Sequence, residues 1–261
     1  MFPRTVQRYG WKRDLPDHRD FPALFHHQSV AQIPLFVDLR PQVPLIYDQS
    51  TIGSCTANAI NADINLEMVK QGVKPLFGSR LFVYYNERSM EGTVNEDSGA
   101  QIRDGFSTIS KLGVCPETDW PYDVNKFTIK PPDNCYTDGT KHLVKSYLSL
   151  NQNVTSLQDS LAAGYSFVFG FSVFESFEGN EVAKTGIVPM PHWREKMAGG
   201  HAVHAVGYNA SNKEMNDVPP QHFIVQNSWG DQWGIKGYFY FPFSYISNAK
   251  LADDFWTVRL M

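Results

Sequence analysis

A cysteine at the head of a long helix is the feature that most constrains this chain. Residues 49–59 read Gln-Ser-Thr-Ile-Gly-Ser-Cys-Thr-Ala-Asn-Ala, so Cys55 follows a Gly53-Ser54 turn. It opens a run, Thr56 to Val69, whose apolar residues recur at helical spacing. A thiol at a helix N-terminus meets unsatisfied backbone N–H groups and the positive dipole end, which favour thiolate. Gln49 lies six residues upstream and brings a side-chain amide that can donate back toward the sulfur. Nucleophile, helix end and amide donor within one segment are what acyl transfer through a thioester requires. The same residues also suit a small buried cysteine that merely starts a helix. Two stretches far downstream choose between these readings.

A chain of 261 residues buries a sizeable core, as one large domain or two lobes. Net charge is −4 and no Lys/Arg cluster stands out, so nucleic acid is not an expected partner. The longest apolar runs fall short of the roughly 18 residues a bilayer span needs, so no membrane association is expected. The basic start, residues 1–8, is followed by no apolar stretch, and no secretory signal is expected. Three cysteines, Cys55, Cys115 and Cys135, leave at least one unpaired. That fits an intracellular or otherwise non-classically delivered protein, with Cys115–Cys135 pairing left open.

Residues 1–32 mix prolines, Arg, Asp and aromatics, which excludes a long helix and predicts an extended segment. A short strand is expected over 35–39, and helices over 55–69, 80–88 (with Ser79 as N-cap) and 100–112. The stretch 114–140 reads as irregular. Beyond it come a strand at 143–148, a helix at 154–163, and strands at 165–173, 186–190, 201–208, 221–227 and 236–241. A helical half followed by a β-rich half makes an α+β protein, and a cleft between two such lobes is a natural site.

The downstream stretches are Ala198-Gly199-Gly200-His201-Ala202-Val203-His204 and Gln226-Asn227-Ser228-Trp229-Gly230, the latter running on through Trp233-Gly234. The first sets a histidine on an alternating strand behind a glycine pair. The second is too dense in glycine and tryptophan for a generic strand. With Cys55 and Gln49, these residues make the chain similar to the papain family of cysteine peptidases, cathepsins included, from about residue 33 onward. The resemblance implies a two-lobed fold. A helical left lobe would span about 45–138 and a β-barrel-like right lobe about 139–250, with strands exchanged at both ends and the active site in the cleft between. Residues 1–32 would be an extension outside the peptidase domain, 33–261.

Carried across, the resemblance makes Cys55 the nucleophile, His201 the base and acid, and Asn227 the group that orients the imidazole. Gln49 becomes the oxyanion donor and Trp229 the cover over the Asn–His bond. Peptide or protein substrates would be hydrolysed by a monomer, endoproteolytically rather than exoproteolytically, with neither metal nor organic cofactor. Gly99 and Ala100, in Asp97-Ser98-Gly99-Ala100-Gln101-Ile102, match the stretch along which substrate adds as a strand. Ile102, Gly200 and Ala202 fall where the main specificity pocket is lined, and Asp253 can be aligned with its floor. An acidic floor would admit Arg or Lys, as in cathepsin B. Two positions depart from the family: Thr56 stands where Trp follows the nucleophile, and Ile52 where a disulfide cysteine lies.

His204, three residues from His201, reads as packing on the opposite strand face. His26-His27 resembles a cathepsin B histidine pair but sits in the wrong part of the chain. The family's long helical propeptide has no counterpart here. Residues 1–32 are either a short prosegment in the cleft or a strap over the lobe surfaces, the docking of termini for stability favouring the strap. Two other outcomes stay open: a silent relative that binds peptides or a partner, and acyl transfer to an acceptor other than water on the same triad.

Overall fold

Helix α1, Cys55–Lys70, is buried along Cys55–Glu67, on every side rather than on one stripe. Small residues let neighbours approach it from all directions. Its asparagines satisfy themselves locally: Asn58 and Asn61 donate to the Ser54 and Ala57 carbonyls one turn back. A helix of this composition can therefore stand at the centre of a protein, where its first turn is held rigidly. The computed structural model describes residues 9–17, 20–23 and 33–260. The basic start and His26-His27 lie outside the described residues.

Along the chain, β1 (Trp11–Lys12) and β2 (Phe36–Asp38) precede α1. Helix α2 (Arg80–Glu91) starts where the Ser79 hydroxyl accepts from the Phe82 N–H, and ends at the left-handed Gly92. Strand β3 (Ala100–Gln101) runs directly into α3 (Ile102–Leu112). The stretch read as irregular holds a further helix, α4 (Asp133–Gly139). These helices share a core built on Ile60, Phe82 and Phe106. Buried Arg88 donates to the Val94 and Glu96 carbonyls at 2.9 and 2.8 Å, fixing the loop that carries Asp97 and Gly99.

The second lobe follows: β4 (Ser146–Ser149), α5 (Val154–Ala162), β5 (Phe167–Phe174), α6 (Asn180–Thr185) and β6 (Met197–Asn209). Strands β7 (His222–Gln226) and β8 (Tyr238–Pro242), α7 (Phe243–Ile246) and β9 (Ala252–Arg259) complete it. The sheet order is β4-β9-β5-β6-β7-β8, with β2 antiparallel to β6. Its core is aromatic, with Phe167, Phe169, Phe171, Phe223, Phe239 and Phe241 fully buried. Among the described residues no helix is long and apolar enough to cross a membrane. This is the two-lobed α+β architecture expected, with α1 of the helical lobe packed against β6 of the other.

One expected strand is absent and one strand was not anticipated, each for a local reason. Residues 186–190 are not a strand: Gly186 is left-handed and ends α6, prolines follow, and Ile187 makes only an isolated bridge to Tyr240. Strand β9 was masked in the sequence by Asp253-Asp254, which reads as solvated. The register against β5 slips between Val168 and Gly170, and Asp254 takes a positive φ of 57° at the irregularity. A bulge there aims one carboxylate inward.

Candidate active site

Cys55 is fully buried at the first turn of α1. Ser54 makes no side-chain cap, so the sulfur takes the donors instead. The Ala202 N–H donates to Sγ at 3.4 Å. The Gly10 and Thr56 backbones also act on it in the direction of thiolate. Burial still prevails and pushes the thiol up to about 12, with the Glu87 carboxyl adding to the rise. The helix end alone would favour thiolate; covered as it is here, the sulfur is a thiol.

His201 on β6 and Asn227 at the end of β7 meet at 2.9 Å, through Nε2 and Oδ1. Asn227 Oδ1 also accepts from the Ser228 N–H at 2.8 Å, which orients the amide. Trp229 stacks over the imidazole with centroids 5.2 Å apart and planes at 28°. The Gln49 amide is fixed at both ends: Oε1 accepts from Ser228 Oγ at 2.6 Å, and Nε2 donates to the Ile52 carbonyl at 3.0 Å. An amide nitrogen has two N–H bonds, and the second remains for a ligand. Ser228 thus orients both Asn227 and Gln49. It lay inside the sequence motif, but its hydroxyl carried no signal of its own.

The two departures from the family pattern have structural replacements. In place of a disulfide near Ile52, Asp97 accepts from the Gly53 N–H at 2.9 and 3.1 Å and ties the same loops together. Thr56 Oγ1 donates to Glu87 at 2.6 Å and joins α1 to α2. Burial raises that Glu87 carboxyl well above the usual range.

Residues 9–12 pack between the two lobes, with β1 against β3 on one side and β5 and β6 on the other. Strand β1 pairs in parallel with β3, Trp11 opposite Ala100, and the Ala100 N–H donates to the Gly10 carbonyl at 2.7 Å. A Cβ on Gly10 would sit 1.6 Å from the Gly53 carbonyl oxygen, so only glycine passes over the nucleophile. Tyr9 packs on His201 and Trp229 and donates to Glu178. Trp11 fills a slot whose walls are Gly170 and Gly200; a Cβ on either would strike its ring. Further along, Pro22 bridges Ser149 and the Ala23 N–H donates to its carbonyl, so the segment does also strap the β4 edge.

Of the residues expected to bind substrate, Gly99, Ala100, Gly200 and Ala202 all border this segment or the sulfur. Ile102 is fully buried in the same core cluster as Trp11 and Ala202. Asp253 is half-buried beside the bulge. It pairs with Arg13 at 3.3 Å, and the bulge gives the inward position to Asp254, whose Oδ2 accepts from Trp11 Nε1 at 2.8 Å. The Asp14 N–H donates to the same oxygen, and Trp256 Nε1 donates to Asp14. Sequence reasoning missed Tyr9, Gly10, Trp11, Asp14 and Asp254. A Gly-Trp pair among polar residues was the only hint.

A thiol at a helix head, an imidazole held by an amide, and a second amide just upstream of the thiol are groups that a cysteine peptidase centre uses. The family model described as papain family cysteine protease matches residues 33–255. A peptidase C1-like protein of Acanthamoeba polyphaga mimivirus is 39% identical, the match covering 99% of this chain and 89% of the relative. The crystal structure of xylellain, a cysteine protease from Xylella fastidiosa, is similar at a TM-score of 0.88 and 42% identity, over 100% of this chain and 99% of the other. The bromelain protease of Ananas comosus shares the fold at a TM-score of 0.67 and 22% identity, over 87% of this chain and 100% of that one. The chain belongs to the papain family of cysteine proteases.

Proposed function

We propose that this chain is a thiol endopeptidase whose own residues 9–14 hold its cleft closed at rest. The observation that carries this reading is the Gly10 backbone passing beside the Cys55 turn, its carbonyl on the Ala100 N–H and its Cα packed against Gly53. It puts a continuous peptide across the nucleophile, with Tyr9 on one side and Trp11 to Asp14 on the other. A cleft that seats chain on both sides of the nucleophile suits cleavage within a chain. The seated segment is itself protected, because the Gly10 carbonyl is bonded to the Ala100 N–H.

Once the segment leaves, water reaches the pair and the burial that holds Cys55 as a thiol is relieved. His201 takes the thiol proton, and the thiolate attacks the substrate carbonyl carbon. The second Gln49 N–H and the Cys55 backbone N–H receive the oxyanion. As the C–N bond breaks, the imidazolium gives its proton to the leaving amine, and a thioester on Cys55 remains. His201 then takes a proton from water, whose oxygen displaces the sulfur and frees the acid product. Asn227 holds the ring through Nε2 throughout, so Nδ1 is the nitrogen that exchanges protons.

Mass analysis of peptides digested by the full-length chain tests the class of cleavage. Internal cuts are expected; release of terminal residues alone would refute the endopeptidase reading. Gln49→Ala should lower kcat by about 10²–10³ with little change in KM, the loss seen when one oxyanion donor is removed. Unchanged kcat would take Gln49 out of that role.

The Trp11 slot supports a preference at the second residue before the cut. Its glycine walls and the Asp254 carboxylate suit a long or broad side chain ending in an N–H donor, and arginine and lysine fit both conditions. Asp254→Ala is expected to lower kcat/KM for an arginine at that position by about tenfold or more, with leucine little changed, as for loss of a charged hydrogen bond. Equal effects on both substrates would remove Asp254 from the specificity pocket.

A further inference from the structure

Behind the proposed catalytic residues lies a second polar chain built from the same three elements. Helix α1 carries Cys55 and Asp63, strand β6 carries His201 and His204, and strand β7 leads to Asn227 and carries Gln226. His204 and Gln226 stand directly opposite each other in the β6–β7 register, with Nδ1 and Oε1 at 2.9 Å. His204 Nε2 lies 3.4 Å from Asp63 Oδ1. All three side chains are buried, exposed by 3% or less. A buried ionisable pair is costly to place unless it does something for the structure around it.

The hydrogen-bond directions are fixed. Gln226 Nε2 donates to the Leu45 carbonyl at 2.8 Å, so its Oε1 is the acceptor and His204 Nδ1 carries a proton. Asp63 Oδ1 already accepts from Ser166 Oγ at 2.6 Å. Asp63 Oδ1 and His204 Nε2 face each other at 3.4 Å without a hydrogen bond, and both residues are buried. The other charged groups acting on Asp63 are Glu67 from α1 and Arg259 from β9, opposite in sign. A cavity of about 10 Å³ lies between Ala59 and Ala62 on one side and Val203, Gln226 and Asn227 on the other. Apolar contact across that gap is incomplete, and His204 and Gln226 line it.

We propose that Asp63, His204 and Gln226 are positioning residues that set the spacing of α1 against β6 and β7, and with it the placement of Cys55 relative to His201 and Asn227. The inference rests on the catalytic roles proposed above. Gln226 extends the same restraint toward Gln49, because the Leu45 carbonyl that it holds lies four residues upstream.

The experiment follows alkylation of Cys55 by iodoacetamide against pH, site by site by mass spectrometry. The protein is the full-length chain in a Trp11→Ala background. In the double variant Asp63→Leu/His204→Asn no charge is left buried, and a donor to Gln226 is kept. Its rate at pH 6 should fall about tenfold, the acid limb moving up by about one pH unit, while the rate at pH 10 stays put. Asp63→Asn keeps a polar side chain of the same shape opposite Nε2 and should stay within about twofold of the parent. A lower melting temperature with an unmoved pH profile would overturn the proposal, leaving these residues a structural role only. If Cys55 of the parent itself reacts no faster at pH 6 than a simple thiol, the catalytic reading fails first and takes this inference with it.

Discussion

Trp11→Ala in the full-length chain should raise kcat/KM on a peptide substrate by about a hundredfold and speed labelling of Cys55 by an epoxysuccinyl inhibitor to match. The indole is almost entirely buried between Gly170 and Gly200 and anchored on Asp254. Truncating such a side chain costs about 3–5 kcal/mol, and a hundredfold corresponds to about 2.7 kcal/mol. Only part of the loss appears as opening, because Asp14 and the Gly10–Ala100 bond still hold the segment. The substitution leaves Cys55, His201, Asn227 and Gln49 intact, so a rise in activity cannot come from altered chemistry. Thermal stability should fall at the same time, since Trp11 belongs to the helical-lobe core. A stability loss with unchanged turnover would mean that residues 9–14 strap the lobes together without gating the site.

The sequence made the chemistry easy to read and its restraint hard. Cys55, His201, Asn227 and Gln49 stand out because each is chemically distinctive within a dense motif. The structure brings Asn227 and Gln49 onto Ser228 and His201 onto Asn227, with Cys55 against the neighbouring Ala202. The helices were legible for the usual reasons: Ser79 caps α2, and Gly92 and Gly113 end α2 and α3. Strand β9 and the Asp254 carboxylate were not legible, because the burial of an acidic pair depends on a bulge that only strand pairing creates. The path of residues 9–14 was hidden for a similar reason. Gly10 is required by the Gly53 carbonyl pressing on it, and nothing local to the N-terminus announces that contact. His204 looked like packing because three residues of strand turn it away from His201; its partners come from α1 and β7.

The closed state is also expected to depend on pH, and in the direction of tighter closure in acid. Asp14 and Asp254 meet in a buried site floored by Trp256, with the Arg103 N–H and guanidinium on the α3 side and Arg13 and Asp253 beside them. Burial, with the facing Asp254 carboxylate adding to it, pushes Asp14 from 3.8 up to about 8. Burial likewise raises Asp254 to about 6. When the segment leaves, Asp14 returns to water and its ordinary value, and Asp254 loses its partner. The docked form therefore holds more protons than the open form. Docking is fully favoured below about 4 and is lost as pH rises through about 6 and then about 8. With one proton in play over the upper window, the docking equilibrium should weaken by about tenfold per pH unit between pH 6 and 8. The measurement is the ratio of kcat/KM for the full-length chain to that of its Trp11→Ala variant across this range, which cancels the pH dependence of the chemistry itself. The ratio should climb steeply toward pH 8. Asp14→Asn keeps the acceptor for Trp256 and never ionises, so its ratio should stay low and flat. A flat ratio in the unmodified chain would show that the two carboxyls do not govern release, and that the segment leaves by a route independent of their charge.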